Sequence, residues 1–331
     1  VRLLCLLTLF MALSALPCAA QDSAGADAPR TVTITVVGDM LFDRGVRDEI
    51  ERRGAQSIFA GIENILSASD ITVGNLECPL TARHEPRPMR YVFRCDPKRA
   101  ATLRTAGFDA VTVANNHTLD QGRGGLLDTL DNLRAAGVAP IGAGPDAVAA
   151  RQPVIIEVNG LRVALLAFLD MPIEGAIYLE DHPVPAMAGE EAVREAVAAA
   201  RANTDVVVVF FHWGVEFSTV PTRAQRSLAR AAGDAGAALV AGHHPHVLQP
   251  WEWMGRTLVV YSLGNFVFDQ GSRRSTSQSA VLRATLTPDG VADFDFVPVS
   301  LLNTRPFPAT EPAASDILSL LSGLKTYGIF E

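Results

Sequence analysis

The run "ALVAGHHPHVLQP", residues 238–250, closes an apolar stretch with His243, His244 and His246, three of the chain's seven histidines. Each imidazole brings a donor and an acceptor that need partners, so such a cluster suits a packed core poorly. It suits a metal or an anion. Other polar groups stand in comparable places: Asp39 in "VVGDML", Glu77 in "VGNLEC", Asn115, Asn116 and His117 in "TVANNHTLD", and His212 in "VVVVFFHWG". Carboxylate, amide oxygen and neutral imidazole are ligands for Mn, Fe or Zn, and a carboxylate can bridge two ions about 3.5–4 Å apart. Cations so held activate a water and clamp a phosphoryl group, while a histidine free of metal can protonate a leaving oxygen. Taken singly, "GD" is more often a turn or cap, "NNH" an Asx-rich turn and His212 a satisfied structural histidine. Their common placement argues for a shared site.

That placement follows from the elements. "TVTITVVG" is β-branched and short enough for a buried strand, and "RGVRDEIERRG" has helical charge spacing and ends at Gly54. "DITVGN" is a strand, "DPKRAATLRTAG" a helix, "FDAVTVAN" a strand, "GGLLDTLDNLRAAG" a helix and "VAPIG" a short strand. In "QPVIIEVNGLRVALLAFLD" two β-rich runs are joined by Asn159-Gly160, a tight-hairpin signal. Alternation resumes with "GEEAVREAVAAARAN", "TDVVVVFFHWG", "RAQRSLARAAGDAG" and "AALVAG", and two hairpins follow in "WEWMGRTLVVYSLGN" and "QSAVLRATLTPDGVADFDFVPVS". A last helix is expected over 314–324. Helices alternating with strands, plus hairpins, predict one α/β domain over 31–303 with a mixed sheet and a tail from 304. Every candidate then lies just past the carboxyl end of a strand, where α/β sheets hold their ligands.

Composition narrows the function. A chain of 331 residues with 48% hydrophobic content buries a large core. The net charge of −8, with no long Lys/Arg run, argues against nucleic acid as a partner. Lysine is nearly absent, and arginine suits bidentate capture of carboxylate or phosphate, although genome base composition produces the same bias. The opening "VRLLCLLTLFMALSALPCAAQ" reads as a secretory signal peptide over 1–20, with Cys18 and Ala20 at the −3 and −1 positions, followed by a loose lead-in over 21–30. Lipidation at Cys18 is the alternative. A mature protein in the periplasm or outside the cell is expected, without a transmembrane helix, and its two remaining cysteines, Cys78 and Cys95, are expected to pair.

The order Asp39, Asn116-His117, His212 and His244-x-His246 resembles the calcineurin-like metallophosphoesterase superfamily. More closely, "GDMLFDR", "GNLECPLT", "ANNHTLDQG", "FHWGVEF", "GHHPHVLQP" and "YSLGNFVFD" resemble the CapA family, the poly-γ-glutamate capsule biosynthesis proteins. The resemblance implies a four-layer α/β/β/α sandwich with one or two divalent ions at a sheet edge. Asp39, Glu77 and His246 would hold one ion, and Glu77, Asn116, His212 and His244 the other. His117 would be the acid facing the substrate, with His243 left structural. Three departures stand out. The superfamily's Asp-x-His has Leu41 at its third position, its bridging Asp is Glu77, and the acid that follows its histidine lies three places on, at Asp120.

Arg44 is expected either at the pocket, binding an anion, or in solvent at a helix start. Asn115, Trp213, Glu216 and Asn265 are further wall candidates, and Trp251 and Trp253 suit hairpin packing better than a sugar platform. Two function classes follow. One is a metal-dependent hydrolase acting outside the cytoplasm on a phosphoester or on an amide of an envelope polymer. The other is a non-catalytic accessory protein that binds an anionic polymer such as poly-γ-glutamate beside the envelope synthesis machinery.

Overall fold

The computed structural model describes Val1, residues 30–173 and residues 175–322. The expected leader and lead-in therefore lie outside the described residues, apart from Val1 and Arg30. The first half runs β1 (Val32–Met40), α1 (Arg44–Arg53), α2 (Glu63–Leu66), β2 (Ile71–Leu76), α3 (Arg99–Thr105), β3 (Ala110–Thr112), α4 (Gly122–Ala135), β4 (Ala139–Ile141), β5 (Ala143–Gly144) and α5 (Ala147–Ala150). Next come β6 (Val154–Val158), β7 (Leu161–Leu169), β8 (Val184–Pro185), α6 (Glu190–Arg201), β9 (Val206–His212), α7 (Arg223–Asp234) and β10 (Leu239–His243). The chain ends in β11 (Leu248–Met254), β12 (Thr257–Leu263), β13 (Asn265–Val267), β14 (Gln278–Thr287), β15 (Gly290–Leu302), β16 (Arg305–Pro308) and α8 (Ala313–Leu321).

Two mixed sheets result. The eight-stranded sheet has the order β16-β15-β14-β1-β2-β3-β4, with β13 also paired to β1, and the six-stranded sheet the order β11-β12-β10-β9-β7-β6. In the eight-stranded sheet β13, β1, β2, β3 and β4 run parallel, with β14, β15 and β16 antiparallel on one flank only; in the six-stranded sheet β7, β9, β10 and β12 run parallel between antiparallel β6 and β11. The pleat sorts the side chains. Along β7, Leu161, Val163, Leu165, Ala167 and Leu169 enter the large core, while Ala164, Leu166 and Phe168 join a second core under α6 and α7. Each fully buried Leu, Val or Phe among them is worth about 1.5–3 kcal/mol relative to exposure. The sheets pack face to face, with α6 and α7 against the six-stranded one and α3 and α4 on the side of the eight-stranded one. This is the expected four-layer α/β/β/α sandwich.

Local chemistry sets the ends. The Asp43 carboxylate caps α1 by accepting from the Arg44 N–H, and Gly54 leaves that helix at φ 82°. Thr222 and Gln225 form a capping box on α7. Asn159 (φ 51°) and Gly160 (φ 73°) make the tight β6–β7 turn. The strand expected through residue 115 stops at Thr112, because Thr118 Oγ1 draws the chain into a turn by donating to the Val113 and Asn115 carbonyls. Residues expected as a tail from 304 are tied in: β16 pairs with β15, and α8 packs on β11 and β15. Among the described residues no helix is long and apolar enough to cross a membrane.

One close approach seats the end of β1. A Cβ on Gly38 would stand 1.9 Å from the Gly264 carbonyl oxygen, and the next N–H, of Asp39, donates to that same oxygen at 3.0 Å. Gly38→Ala is expected to destabilise the fold by about 1–3 kcal/mol or more through this backbone clash. Gly189→Ala, in open space with extended backbone, stays within about 1 kcal/mol. Urea unfolding midpoints of the two variants measure the contrast.

Candidate metal centre

The site begins as a polar row across parallel strands. Asn265, Asp39, Asn75 and Thr112 occupy matching register positions on β13, β1, β2 and β3. Asn75 Nδ2 donates to Asp39 Oδ1 at 2.8 Å, and its Oδ1 accepts from Thr112 Oγ1 at 2.9 Å. Asn75 also reaches Glu77 Oε2 at 3.4 Å and His212 Nδ1 at 3.3 Å. It is the hub that fixes both carboxylates, and the sequence reading missed it.

The expected ligands converge above this row. Ligand atoms of Asp39, Glu77 and His212 all lie within 4.8 Å of one another, and all three residues are buried. His246 bridges the carboxylates, with Nδ1 3.3 Å from Asp39 Oδ2 and Nε2 3.5 Å from Glu77 Oε1. Asn116 Oδ1 faces His212 Nε2 at 2.9 Å, and the His212 and His244 rings lie 4.8 Å apart. His244 (φ 95°) and His246 (φ 57°) take the left-handed backbone region that side chains rarely adopt, a strain found where function demands it. His243 alone turns aside, its Nε2 donating to the Val37 carbonyl at 3.1 Å, the structural role expected of it.

These residues fit a divalent cation. Glu77 Oε1 and His244 Nδ1 are buried without a hydrogen-bond partner, a costly state for a carboxylate oxygen and an imidazole nitrogen unless something electrophilic meets them. Asn265 also fixes a tautomer. Its amide N–H groups donate to Gln270 Oε1 and the Thr276 carbonyl, so its Oδ1 faces His246 Nδ1 at 2.9 Å and that nitrogen carries a proton. His246 Nε2 is left toward Glu77, as in metal sites where a second residue orients each imidazole. Leu41 contributes nothing here, being packed in the apolar core.

His117 stands beside the cluster. Its Nδ1 donates to Asp120 Oδ2 at 2.9 Å and its Nε2 lies 4.0 Å from Glu77 Oε1. The acid displaced three places along the chain thus still orients the histidine, because the turn through residues 115–120 folds it back. Phe93 packs on His117 with ring centroids 4.2 Å apart, and the Phe93 N–H donates to Asp120 Oδ2 at 2.6 Å. The loop carrying Phe93 is pinned by the Cys78–Cys95 disulfide, the expected pair.

Charge is balanced inside the pocket. Burial alone would raise the Asp39 carboxyl, yet His246, then His243 and the Asn75 amide, hold it below the ordinary aspartate range. Burial raises Glu77 well above the glutamate range; His246 opposes the shift, and Asp39, Glu216 and Asp120 add to it. His246 is disfavoured as a cation by burial, but Glu77 and Asp39 carry it up to about 9. Burial and then the charge of His246 push His244 down to about 3, and burial with its histidine neighbours drives His212 well below the usual value. Both are neutral imidazoles, the form that ligates metal.

The wall candidates divide. Trp213 does not reach the pocket: one residue past His212 the pleat reverses, and the indole stacks on Phe211 at 4.5 Å in the core under α6 and α7, donating to the Tyr261 carbonyl. Asn115 faces inward too, donating to Asn75 Oδ1 and the Leu76 carbonyl, so it braces the turn. Asn265 is a positioning residue, not a wall. Glu216 is exposed, near enough to act on Glu77 and His246. Arg44 is not loose in solvent; it pairs with Asp269 at the pocket's edge. Trp251 and Trp253, on β11, pack edge-on against Phe294 on β15 of the other sheet.

The family described as "Bacterial capsule synthesis protein PGA_cap" matches residues 33–270. The chain belongs to this family. Its capsule-synthesis relatives include the "PGA biosynthesis protein CapA" of Bacillus subtilis (strain 168), 35% identical over 84% of this chain and 73% of that one, and the "Capsule biosynthesis protein CapA" of Bacillus anthracis, 34% identical over 84% and 70%. The calcineurin-like phosphoesterase YfkN from Bacillus subtilis shares the fold at 15% identity, TM-score 0.50, over 88% of this chain and 96% of that one. The PGA_cap match runs from β1 through the rim that follows β13, so the family's extent contains every ligand candidate named above.

Metal content of chelator-free protein tests the centre. About one or two equivalents of Mn, Fe or Zn are expected, lost in Asp39→Ala and His246→Ala. Asn265→Ala keeps the ligands but frees the His246 ring, so affinity falls about 10–100-fold in competition with a chelating dye.

Proposed function

We propose that this chain acts outside the cytoplasm on poly-γ-glutamate or a related anionic envelope polymer, through a divalent-metal centre with hydrolase-like chemistry. The relatives named for PGA and capsule biosynthesis support the substrate class, and the apolar leader read at residues 1–20 supports the location. One observation carries the chemistry. His117, its Nδ1 donating to Asp120, points Nε2 toward the Glu77 side of the ligand cluster, where the imidazolium form would pass its Nε2 proton to a leaving group and return to the neutral ring. A pocket that only binds has no need of that dyad.

Asp39, Glu77, Asn116, His212, His244 and His246 would hold the metal, which when bound supplies Lewis-acid polarisation of the scissile group and an activated water. The chain's residues do the rest. Asp120 holds the His117 ring in place by accepting from Nδ1, Phe93 fixes it by packing, and the buried strand ends keep bulk water from the carboxylates. A second reading, a polymer-binding accessory protein beside the synthesis machinery, is favoured by Leu41, which stands where the superfamily has an imidazole.

Turnover decides between them. Protein loaded separately with Mn, Fe and Zn is assayed on a phosphodiester, a phosphomonoester and γ-glutamyl oligomers. Under the first reading, His117→Ala and Asp120→Asn keep their metal while kcat falls about 10²–10⁴-fold. Absence of turnover in all loaded forms of the native chain, with the oligomer still bound, leaves the accessory role.

A further inference from the structure

The rim of the metal pocket is built from three phenyl rings and two guanidinium groups in a continuous arc. The Arg273 guanidinium lies 4.7 Å from the Phe217 ring centroid, and Phe217 lies 6.4 Å from His246. On its other side His246 meets Phe268 at 4.8 Å, and Arg44 covers both Phe268 (5.7 Å) and Phe93 (4.9 Å). Phe93 completes the arc on His117. Each ring therefore touches a site histidine with one part and supports an arginine with another.

Three features mark this as more than surface decoration. Asp269 pairs with the Arg44 guanidinium and also accepts from the Gly45 N–H at 3.1 Å, which fixes the orientation of the group while its side chain stays 34% exposed. Arg44 Nε is buried without a hydrogen-bond partner. Among the described residues, four of the seven non-glycine positions with positive φ are Arg44, Phe217, His244 and His246, two ligand candidates and two rim residues. Backbone strain concentrated at one spot is the mark of a shape held for use. The segment bearing Phe268, Asp269 and Arg273 is tied to the centre through Asn265, which donates to Gln270 and to the Thr276 carbonyl.

We infer that Arg44 and Arg273 form a two-pronged anion clamp that seats carboxylates flanking the group presented to the metal, and so select a polymer with an acid on each repeating unit. The inference rests on the proposed function for its substrate class. A guanidinium placed over a phenyl ring still has N–H groups to offer a carboxylate, Arg44 those that Asp269 does not take, and rigid support lowers the entropy lost on binding. A clamp with two such prongs discriminates against a neutral chain, and against a small phosphoester too short to reach both.

The test uses the metal-loaded full chain and two fluorescent probes, a γ-linked glutamate decamer and the same decamer with its free α-carboxylates amidated. Fluorescence anisotropy is expected to show the native chain preferring the acidic probe. Arg273→Gln and Arg44→Gln each weaken that probe about tenfold or more, with a shallower salt dependence and unchanged metal content. Arg44→Lys recovers only part of the loss, and because Arg273 is exposed its variant separates binding from folding. Native-like affinity for the acidic decamer in both Gln variants overturns the clamp while leaving the proposed function standing. Equal affinity of the native chain for both probes also overturns the clamp. Failure of the native chain to bind either decamer overturns the clamp together with the polymer substrate class.

Discussion

Burying Asp39 and Glu77 in one pocket is the constraint that the rest of the site answers. A carboxylate withdrawn from water costs several kcal/mol unless its oxygens are matched, and two together repel. His246 stands between them, 3.3 Å from one and 3.5 Å from the other, and the two carboxylates favour its charged form, which offsets theirs. Asn75 supplies amide hydrogens to both. Neutral His212 and His244 fill the remaining wall without adding charge. The arrangement needs strand ends pressed closer than ordinary side chains allow, hence Gly38 against the Gly264 carbonyl beneath Asp39.

The orienting residues come from elements that are themselves fixed. Asn265 sits on β13, held by Gln270 and Thr276, and sets His246. Asp120 receives the Phe93 N–H and sets His117, while the Cys78–Cys95 link closes the loop from which Phe93 projects. A reactive group is as well placed as the side chains behind it. Here the second ring is buried almost as completely as the first, which turns a set of side chains from six strand ends and turns into one rigid constellation.

The long strands, most helices and the gathering of all six ligand candidates were legible in the sequence, because short continuous apolar runs end abruptly in polar residues that a core does not want, whereas the short strands β5, β8, β13 and β16 were not read. The misreadings share one cause. Trp213 is adjacent to His212 in sequence and opposite to it in space, since the pleat sends neighbours to opposite faces of the same sheet. Asn75 was invisible for the converse reason: two places before Glu77 it shares that residue's face, but a lone Asn in a β run carries no signal until Asp39 is known to lie beside it. Asp120 looked like a departure because spacing along the chain was compared instead of reach, and a turn makes the third residue a neighbour.

Leu41, set against the Asp-x-His pattern that the sequence resembles, has a structural meaning larger than one absent ligand. The oxygen donors Asp39, Glu77 and Asn116 all follow strands of the eight-stranded sheet, and the nitrogen donors His212, His244 and His246 all follow strands of the six-stranded sheet. A histidine at position 41 would have given the first sheet a nitrogen of its own. Without it neither sheet holds a mixed donor set, and neither alone compensates its own charge or desolvation. A cation at this place would therefore join the two layers as much as occupy a pocket, its binding energy falling on the interface between the sheets. The same division explains why His246, whose charged form Glu77 and Asp39 favour, lies where both carboxylates can reach it: it already joins the two sheets.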